Sequence, residues 1–158
     1  MGNLQTCGRC TACCKTHSVF LIAKKAGAWC SFCEIGEGCK IYEGRPVECQ
    51  EFQCAWLRGS GGGLQYRPDK IGVVPEHRWL PSVGKAMWFW ELNKGALDSE
   101  LTRSWTRRNL NGGNYVVHVP IANNCKLYLP SGADGSDLAF KSKDGKEVEI
   151  VPFVSGRF

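Results

Sequence analysis

Nine of the ten cysteines lie between Cys7 and Cys54, and only Cys125 lies beyond them. This concentration constrains the fold more than any other feature, because a segment so rich in thiols has few aliphatic side chains from which to build a core. Disulfides or bound metal must then hold the segment together. The first third of the chain is therefore expected to be irregular and organised by its cysteines.

The compartment decides between disulfides and metal. The residues from Met1 to Cys7 have neither the basic region nor the apolar region of a secretory signal. We therefore expect a cytoplasmic protein, or one associated with a virion if the gene belongs to a phage. In a reducing compartment, clustered cysteines are typical of metal ligands. The longest apolar run, residues 86–90, is far shorter than the roughly 18 residues that span a bilayer, so no membrane is expected.

The cysteine spacing also favours metal. A Cys-x2-Cys unit repeats along the segment, at Cys7, Cys10 and Cys13, with Cys14 directly after, and again at Cys30 and Cys33. Two thiolates at this spacing can turn toward one ion, and soft thiolates select zinc, iron–sulfur clusters or cuprous copper. Nine cysteines are enough for two four-thiolate sites. The adjacent Cys13 and Cys14 indicate either two sites that share this segment or one ligand beside a spectator.

The same residues resemble a known family. The run from Cys7 to Cys14 reads CGRCTACC, and residues 38–49 read GCKIYEGRPVEC. Both runs resemble the bacterial CxxCxxCC, YkgJ-like family of zinc- or iron-chelating proteins, over residues 7–56, about a third of the chain. The resemblance implies a set of eight ligands, which are Cys7, Cys10, Cys13, Cys14, Cys30, Cys39, Cys49 and Cys54.

Two further side chains are additional candidates. Cys33 stands where relatives have an aliphatic residue, and His17 could replace one thiolate. The cysteine-rich part also resembles a region of flagellin lysine methylases, which implies an iron–sulfur cluster. Residues 60–158 do not match that enzyme, so methyl transfer is not implied. Thiolate spacing alone does not separate zinc, the first choice, from an iron–sulfur cluster.

Arg45 lies within the second run, and it has two interpretations. It could stabilise negatively charged thiolates or hydrogen-bond nearby carbonyls around the site, or it could be solvated on a turn.

The rest of the chain mixes helix and strand signals. We expect an α+β protein in which an irregular, metal-organised module, residues 1–57, packs on residues 58–158, and the two parts could form one continuous domain. The glycine-rich residues 59–63 predict a flexible connector or an exposed loop. Apolar residues recur at helical spacing across residues 85–110, and Asp98 or Ser99 could cap a fresh helix there.

Four short runs have the composition of strands, at Tyr115–Val119, Lys126–Leu129, Leu138–Lys143 and Glu147–Val154. Asp144 and Gly145 provide a hairpin signal between the last two. We therefore expect a small antiparallel sheet. His118 is expected to be a surface or packed residue, and Trp79, Trp88 and Trp90 to belong to the core.

The residues indicate binding rather than catalysis. Neither a nucleophile elbow nor a His-Glu-x-x-His motif is present, so we lean against an enzyme. The first hypothesis is a mainly structural metal in a binding or assembly component whose partner is another protein. The second is an iron–sulfur protein with a redox or enzyme-associated role.

The third hypothesis is a nucleic-acid-binding module. Residues 55–158 carry fourteen basic against ten acidic side chains, which allows an acidic partner. An aromatic ring among basic side chains can bind single-stranded nucleic acid. Such a set is present at Trp105, Arg107 and Arg108, with Lys94 and Arg103 nearby in the sequence. A core tryptophan beside helix-end arginines explains the same residues, and we prefer that interpretation.

Overall fold

The computed structural model describes residues 5–135, 138 and 148–152. Short elements make up the cysteine-rich part, namely helices α1 (Cys13–Thr16) and α2 (Val47–Glu51) and strands β1 (Cys33–Glu34) and β2 (Gly38–Cys39). The remainder contains helices α3 (Pro68–Ile71) and α4 (Glu100–Asn111) and strands β3 (Val73–Leu80), β4 (Gly84–Glu91), β5 (Tyr115–Val119), β6 (Lys126–Leu129) and β7 (Glu149–Pro152). The α+β class is confirmed.

The five later strands form one sheet in the order β3-β4-β5-β6-β7. Strands β3 and β4 are an antiparallel hairpin, and β5 and β6 are also antiparallel. The pairs β4–β5 and β6–β7 are parallel. The sheet is therefore mixed, and the expectation of a small antiparallel sheet is wrong for the pairs β4–β5 and β6–β7. A parallel pair needs a long crossover connection, which α4 supplies between β4 and β5.

Helical periodicity was misleading in the first part of residues 85–110. Gly84–Glu91 is a strand, paired with β3 on one side and β5 on the other. Its burial follows the sheet, because Met87 and Phe89 point into the main core while Trp88 lies on the opposite face. Pairing on both sides overrides the local pattern. The partner strand, β3, was not anticipated either.

The second part of that region is the expected helix. Ser99 caps α4 by accepting a hydrogen bond from the amide of Thr102 at 3.3 Å, and Glu100 lies in the first turn. Trp105 is 3% exposed and packs edge-to-face on Phe89 at 5.3 Å between ring centroids. The helix is therefore attached to the sheet by its aromatic face.

The cysteine-rich part shares this core. Ala55 and Trp56 are buried in the same cluster as Val73, Phe89 and Trp105. The amide of Ala55 donates to the carbonyl of Pro75 on β3 at 2.7 Å. The boundary at residue 57 stays a prediction, and these contacts favour the interpretation of one continuous domain.

The glycine-rich residues 59–63 are held in place and do not form a free connector. The carbonyl of Gly61 accepts a hydrogen bond from Arg108 at 3.2 Å, and the carbonyl of Gly63 accepts one from the Trp56 indole at 3.2 Å. Gly61 has a φ of +95°. A Cβ atom there would lie 2.5 Å from the Trp105 ring. Glycine is required at this point by close packing rather than by flexibility.

Replacing Gly61 with alanine is expected to destabilise the fold by about 1–3 kcal/mol, because it adds overpacking against Trp105 to an unfavourable φ. Chemical unfolding at equilibrium measures this loss. Gly59→Ala is the matched control, since Gly59 also has a positive φ, +85°, but a Cβ there meets nothing within 4 Å. Equal losses in the two variants would show that packing on Trp105 does not contribute.

The other expected strands have mixed outcomes. Tyr115–Val119 and Lys126–Leu129 are confirmed as β5 and β6, and the run 147–154 is a strand over Glu149–Pro152. The run 138–143 and the hairpin signal at 144–145 lie outside the described residues, apart from residue 138. In the described ranges, no helix has the length and apolar character needed to cross a membrane.

The remaining predictions about individual side chains are confirmed for some residues and wrong for one. His118 is packed in the core, where its Nε2 lies 2.9 Å from the Thr106 hydroxyl, and burial lowers its pKa to about 3. Trp88 and Trp90 pack partly against the core. Trp79 is 76% exposed, so its assignment to the core is wrong. It pairs with Lys85 at the hairpin end of β3 and β4, beyond the reach of β5.

Candidate metal centre

Two tight turns bring cysteines together in pairs. The amide of Cys10 donates to the carbonyl of Cys7 at 2.9 Å, and the amide of Cys33 donates to the carbonyl of Cys30 at 3.0 Å. Gly8 in the first turn has a φ of +51°, which side chains disfavour. Both Cys-x2-Cys units therefore fold as closed turns.

Longer-range contacts then join the separate pairs. The amide of Cys30 donates to the carbonyl of Cys14 at 3.0 Å, and Cys33 lies directly opposite Cys39 in the β1–β2 ribbon. The Glu48 carboxylate, next to Cys49, accepts hydrogen bonds from the amides of residues 20 and 21, both at 3.1 Å. These contacts hold the loop after α1 against α2, and the segment that leads into the ribbon against α1.

The nine cysteines from Cys7 to Cys54 form two adjacent groups, as judged by which sulfur atoms interact electrostatically. The three-cysteine group consists of Cys7, Cys10 and Cys54. The six-cysteine group consists of Cys13, Cys14, Cys30, Cys33, Cys39 and Cys49. Cys7 and Cys14 connect the two groups. All eight cysteines implied by the family resemblance belong to these groups, as does Cys33, but the division is unequal rather than four and four.

Neighbouring thiols in the six-cysteine group affect the protonation of Cys14 and Cys33. Cys33 hydrogen-bonds Cys14, which in turn hydrogen-bonds Cys13. The bond to Cys13, followed by burial, raises the pKa of Cys14 far above its ordinary value. Burial and the neighbouring Cys14 raise the pKa of Cys33 to about 11. Crowded, partly buried thiols of this kind lose their protons together only if a cation compensates their charge.

Backbone amides are directed at two sulfur atoms of the three-cysteine group. The Cys10 sulfur accepts hydrogen bonds from the amides of Ala12 and Asp69. The Cys54 sulfur accepts them from the amides of Trp56 and Leu57. Burial outweighs these bonds and raises the pKa of Cys54 to about 11. Amide donors favour the thiolate form, so these bonds offset part of the effect of burial at both sulfur atoms.

Lys24 is a buried cation beside the six-cysteine group. Its ammonium group donates to the carbonyls of His17 and, at 2.9 Å, of Lys15. Burial lowers its pKa, whereas four neighbouring sulfur atoms act in the opposite direction, those of Cys13, Cys14, Cys30 and Cys49. A lysine almost never becomes this buried without a charge partner, and the thiols are the groups that can supply one.

Arg45 is a second cation that interacts with the same group. Its guanidinium stacks on the Tyr42 ring at 3.8 Å and interacts with the sulfur atoms of Cys39 and Cys49. The buried Nε atom has no hydrogen-bond partner in the described part of the chain. Of the two interpretations of Arg45, the contact with thiols is therefore the one that the structure favours.

The His17 ring has its hydrogen-bond partners outside the two cysteine groups. Its Nδ1 lies 2.7 Å from the Thr16 hydroxyl and its Nε2 lies 2.9 Å from the Glu76 carboxylate. The ring packs between Phe52 and Trp90, with centroid distances of 4.5 and 4.8 Å. With both ring nitrogens occupied in this way, His17 joins the cysteine-rich part to the sheet, and its role as a ligand stays a prediction.

The donor set fits a soft metal by its chemistry. Nine thiols lie in two groups, amide donors are directed at two of the sulfur atoms, and the Arg45 guanidinium interacts with two more. Over the described ranges, no three His, Cys, Asp or Glu side chains are yet close enough to hold an ion as they stand. Binding would therefore require the sulfur atoms of a group to move closer together.

Sequence reasoning missed three residues at these groups. Lys24, Arg67 and Asp69 approach the cysteines only through the fold, and Arg67 interacts with Cys7 and Cys10 from 57 to 60 positions away. No local motif signals such contacts. Comparison with protein-family models, curated proteins and solved structures found no match to this chain.

Proposed function

We propose that the chain is a metal-binding protein of the YkgJ-like type, in which clustered cysteine thiolates hold ions that stabilise the N-terminal part. The observation that carries the proposal is the convergence of nine cysteines, 47 positions apart at their extremes, into two adjacent groups faced by Lys24, Arg45 and Arg67. A structural thiolate site contributes its binding energy directly to folding.

Charge balance supports zinc in the six-cysteine group. Six thiolates around two divalent ions sum to a charge of −2 by simple addition, and among the described residues Lys24 and Arg45 each bring a positive charge to this group. Two tetrahedral ions need more than six separate ligands, so two sulfur atoms would be shared. The adjacent Cys13 and Cys14, whose side chains interact with each other, suit such sharing. An iron–sulfur cluster with thiolate ligands is also anionic and is the alternative.

The surface of the cysteine-rich part supports a role in binding another protein. Phe20 is 88% exposed and Leu21 62% exposed, and Val47, which precedes the Glu48 that binds their amides, is 50% exposed. Solvent-exposed apolar side chains in proximity are typical of interaction surfaces. An assembly component whose metal maintains this surface is the function we propose.

Elemental analysis of anaerobically purified protein tests the proposal. We expect two to three zinc ions per chain, the number that nine thiolates in groups of six and three can hold, and a colourless sample. Iron with matching sulfide and absorption near roughly 400 nm would favour the cluster alternative. A chain with less than about 0.1 metal ion, purified without chelator, would contradict metal binding altogether.

Replacing Lys24 with methionine is expected to weaken metal binding by about 10–100-fold, the usual effect of removing a group that supports the ligands. The methionine keeps the apolar stem but removes the charge that faces the thiolates. Competition with a chromophoric chelator measures the affinity. Lys25→Met is the matched control, because Lys25 is adjacent but exposed. Equal affinities in the two variants would show that Lys24 does not compensate the charge of the centre.

A further inference from the structure

Strand pairing places two thiols opposite each other in the β1–β2 ribbon. Cys33 lies directly opposite Cys39 in this antiparallel pair. Residues directly opposite in an antiparallel ladder carry their side chains on the same face. We propose that Cys33 and Cys39 are a redox-sensitive pair, which hydrogen peroxide converts to a reversible disulfide.

The position of the pair in the ladder suits a disulfide. The amide of Lys40 donates to the carbonyl of Phe32 at 2.8 Å. Hydrogen-bonded pairs alternate along an antiparallel ladder, so the next pair, Cys33 and Cys39, is a non-hydrogen-bonded one. The Cα atoms of such a pair are about 4.5 Å apart, within the range of about 4.4–6.8 Å that disulfides span. The two sulfur atoms can therefore bond without a large movement of the backbone.

The ribbon is held in this register before any oxidation. Its turn is closed by a hydrogen bond from the amide of Glu37 to the carbonyl of Glu34 at 2.9 Å. The Gly36 carbonyl accepts a hydrogen bond from the Arg9 side chain at 3.2 Å, and the Gly36 amide donates to the Thr11 hydroxyl at 3.0 Å. Because these contacts anchor the turn, the two strands that carry the thiols stay side by side.

Both thiols are free and can be reached from solvent. Cys33 and Cys39 are each of intermediate exposure. Exposed thiols are the ones that peroxide oxidises, and exposed disulfides are the ones that small thiols reduce again. The pair therefore has the accessibility that both directions of the reaction require.

Peroxide is the only oxidant that the reaction needs. The thiolate of one cysteine attacks a peroxide oxygen, the O–O bond breaks, and the hydroxide that leaves takes up the proton of that thiol and becomes water. The second thiol then attacks the sulfenic acid, which forms the S–S bond and releases a second water molecule. Two thiols thus give up two electrons and two protons, and one peroxide is reduced to two water molecules.

The disulfide has a consequence for metal binding. The thiolate is the form of cysteine that binds metal, so oxidation would remove Cys33 and Cys39 from the six-cysteine group. This consequence rests on the proposed function, whereas the disulfide itself does not, because strand pairing places the two thiols.

Peroxide treatment of the full chain, purified under reducing conditions, tests the inference. After one equivalent of hydrogen peroxide, the remaining thiols are alkylated in denaturant. The chain is then cut with trypsin and with a protease that cleaves after Glu34 and Glu37, between the two cysteines. We expect the number of alkylated cysteines to fall by two, from ten to eight, with a cross-link between the peptides that end at Glu34 and at Lys40. Dithiothreitol should restore all ten.

Two serine variants in the same segment are matched. Cys33→Ser should lose the cross-link, whereas Cys30→Ser should keep it, because Cys30 lies before the ribbon. A cross-link retained in Cys33→Ser would overturn the inference, and so would a main product that joins Cys33 to Cys14, or ten alkylated cysteines after peroxide. A chain purified without metal would contradict the proposed function, but the cross-link between Cys33 and Cys39 would still be expected in it.

Discussion

Because the proposed metal would hold the cysteine-rich part together, its removal by a chelator is expected to unfold residues 5–52 and to leave the five-stranded sheet folded. The reason is the distribution of buried apolar side chains. In the described residues before Cys54, only Ala12 and Val19 are buried hydrophobic residues. Structural zinc contributes about 10–16 kcal/mol to the folding of small peptides, far more than these two side chains can supply.

Hydrogen exchange followed by mass spectrometry measures this effect. Amides of residues 5–52 should lose protection after chelation, whereas those of β4 and β5 should retain it. Cys10→Ser and Cys49→Ser should each lower the metal content and weaken the same protection, and Cys125→Ser, in the loop before β6, should change neither. Unaltered protection of residues 5–52 in metal-free protein would show that the metal is not structural.

Replacing Trp105 with alanine is expected to destabilise the fold by about 3–5 kcal/mol, the usual cost of removing a large aromatic side chain from a core. The ring is 3% exposed and contacts both Phe89 and Tyr66, at 5.3 and 5.4 Å between centroids. The neighbouring cations are occupied too, because Arg107 pairs with Glu100 and Arg108 binds the carbonyl of Gly61. Trp105 is therefore placed as a core residue and not as an exposed ring on which nucleic-acid bases could stack.

Equilibrium unfolding in denaturant, together with titration of a labelled single-stranded oligonucleotide at low salt, distinguishes the two roles. Trp79→Ala is the control, since Trp79 is 76% exposed and its loss should cost no more than about 0.5 kcal/mol. If the Trp105→Ala protein kept wild-type stability but bound the oligonucleotide more weakly and in a salt-dependent way, this result would support the nucleic-acid hypothesis.

Local features were predictable from the sequence. The spacing of Cys7 and Cys10, and of Cys30 and Cys33, predicts turns that close within four residues, and both are present. Helix α4 begins after Ser99, one of the two expected caps, and this was predictable because the capping contact spans only three residues. Strands β5 and β6 have the expected bounds because their composition favours an extended backbone.

Features that depend on distant parts of the chain were not predictable. Gly84–Glu91 has a helical pattern but becomes a strand because β3 and β5 pair with it on both sides. The glycine-rich residues 59–63 have the composition of a linker, yet Gly61 is needed for contact with Trp105, 44 positions away. In both cases tertiary packing is stronger than local preference, which contributes at most about 1 kcal/mol per residue.

The sequence by itself determined the number, spacing and chemistry of the thiols, because these are properties of the residues and of short turns. Only the tertiary structure decided how the thiols are grouped, since Cys54 joins Cys7 and Cys10 across more than 40 residues, and Cys49 joins Cys14 and Cys30. It also decided that Lys24, Arg45 and Arg67 face these groups. The attraction between these cations and the thiolates depends on distance in space, not on separation in sequence. It therefore produces no repeating pattern in the sequence and can be recognised only in the folded chain.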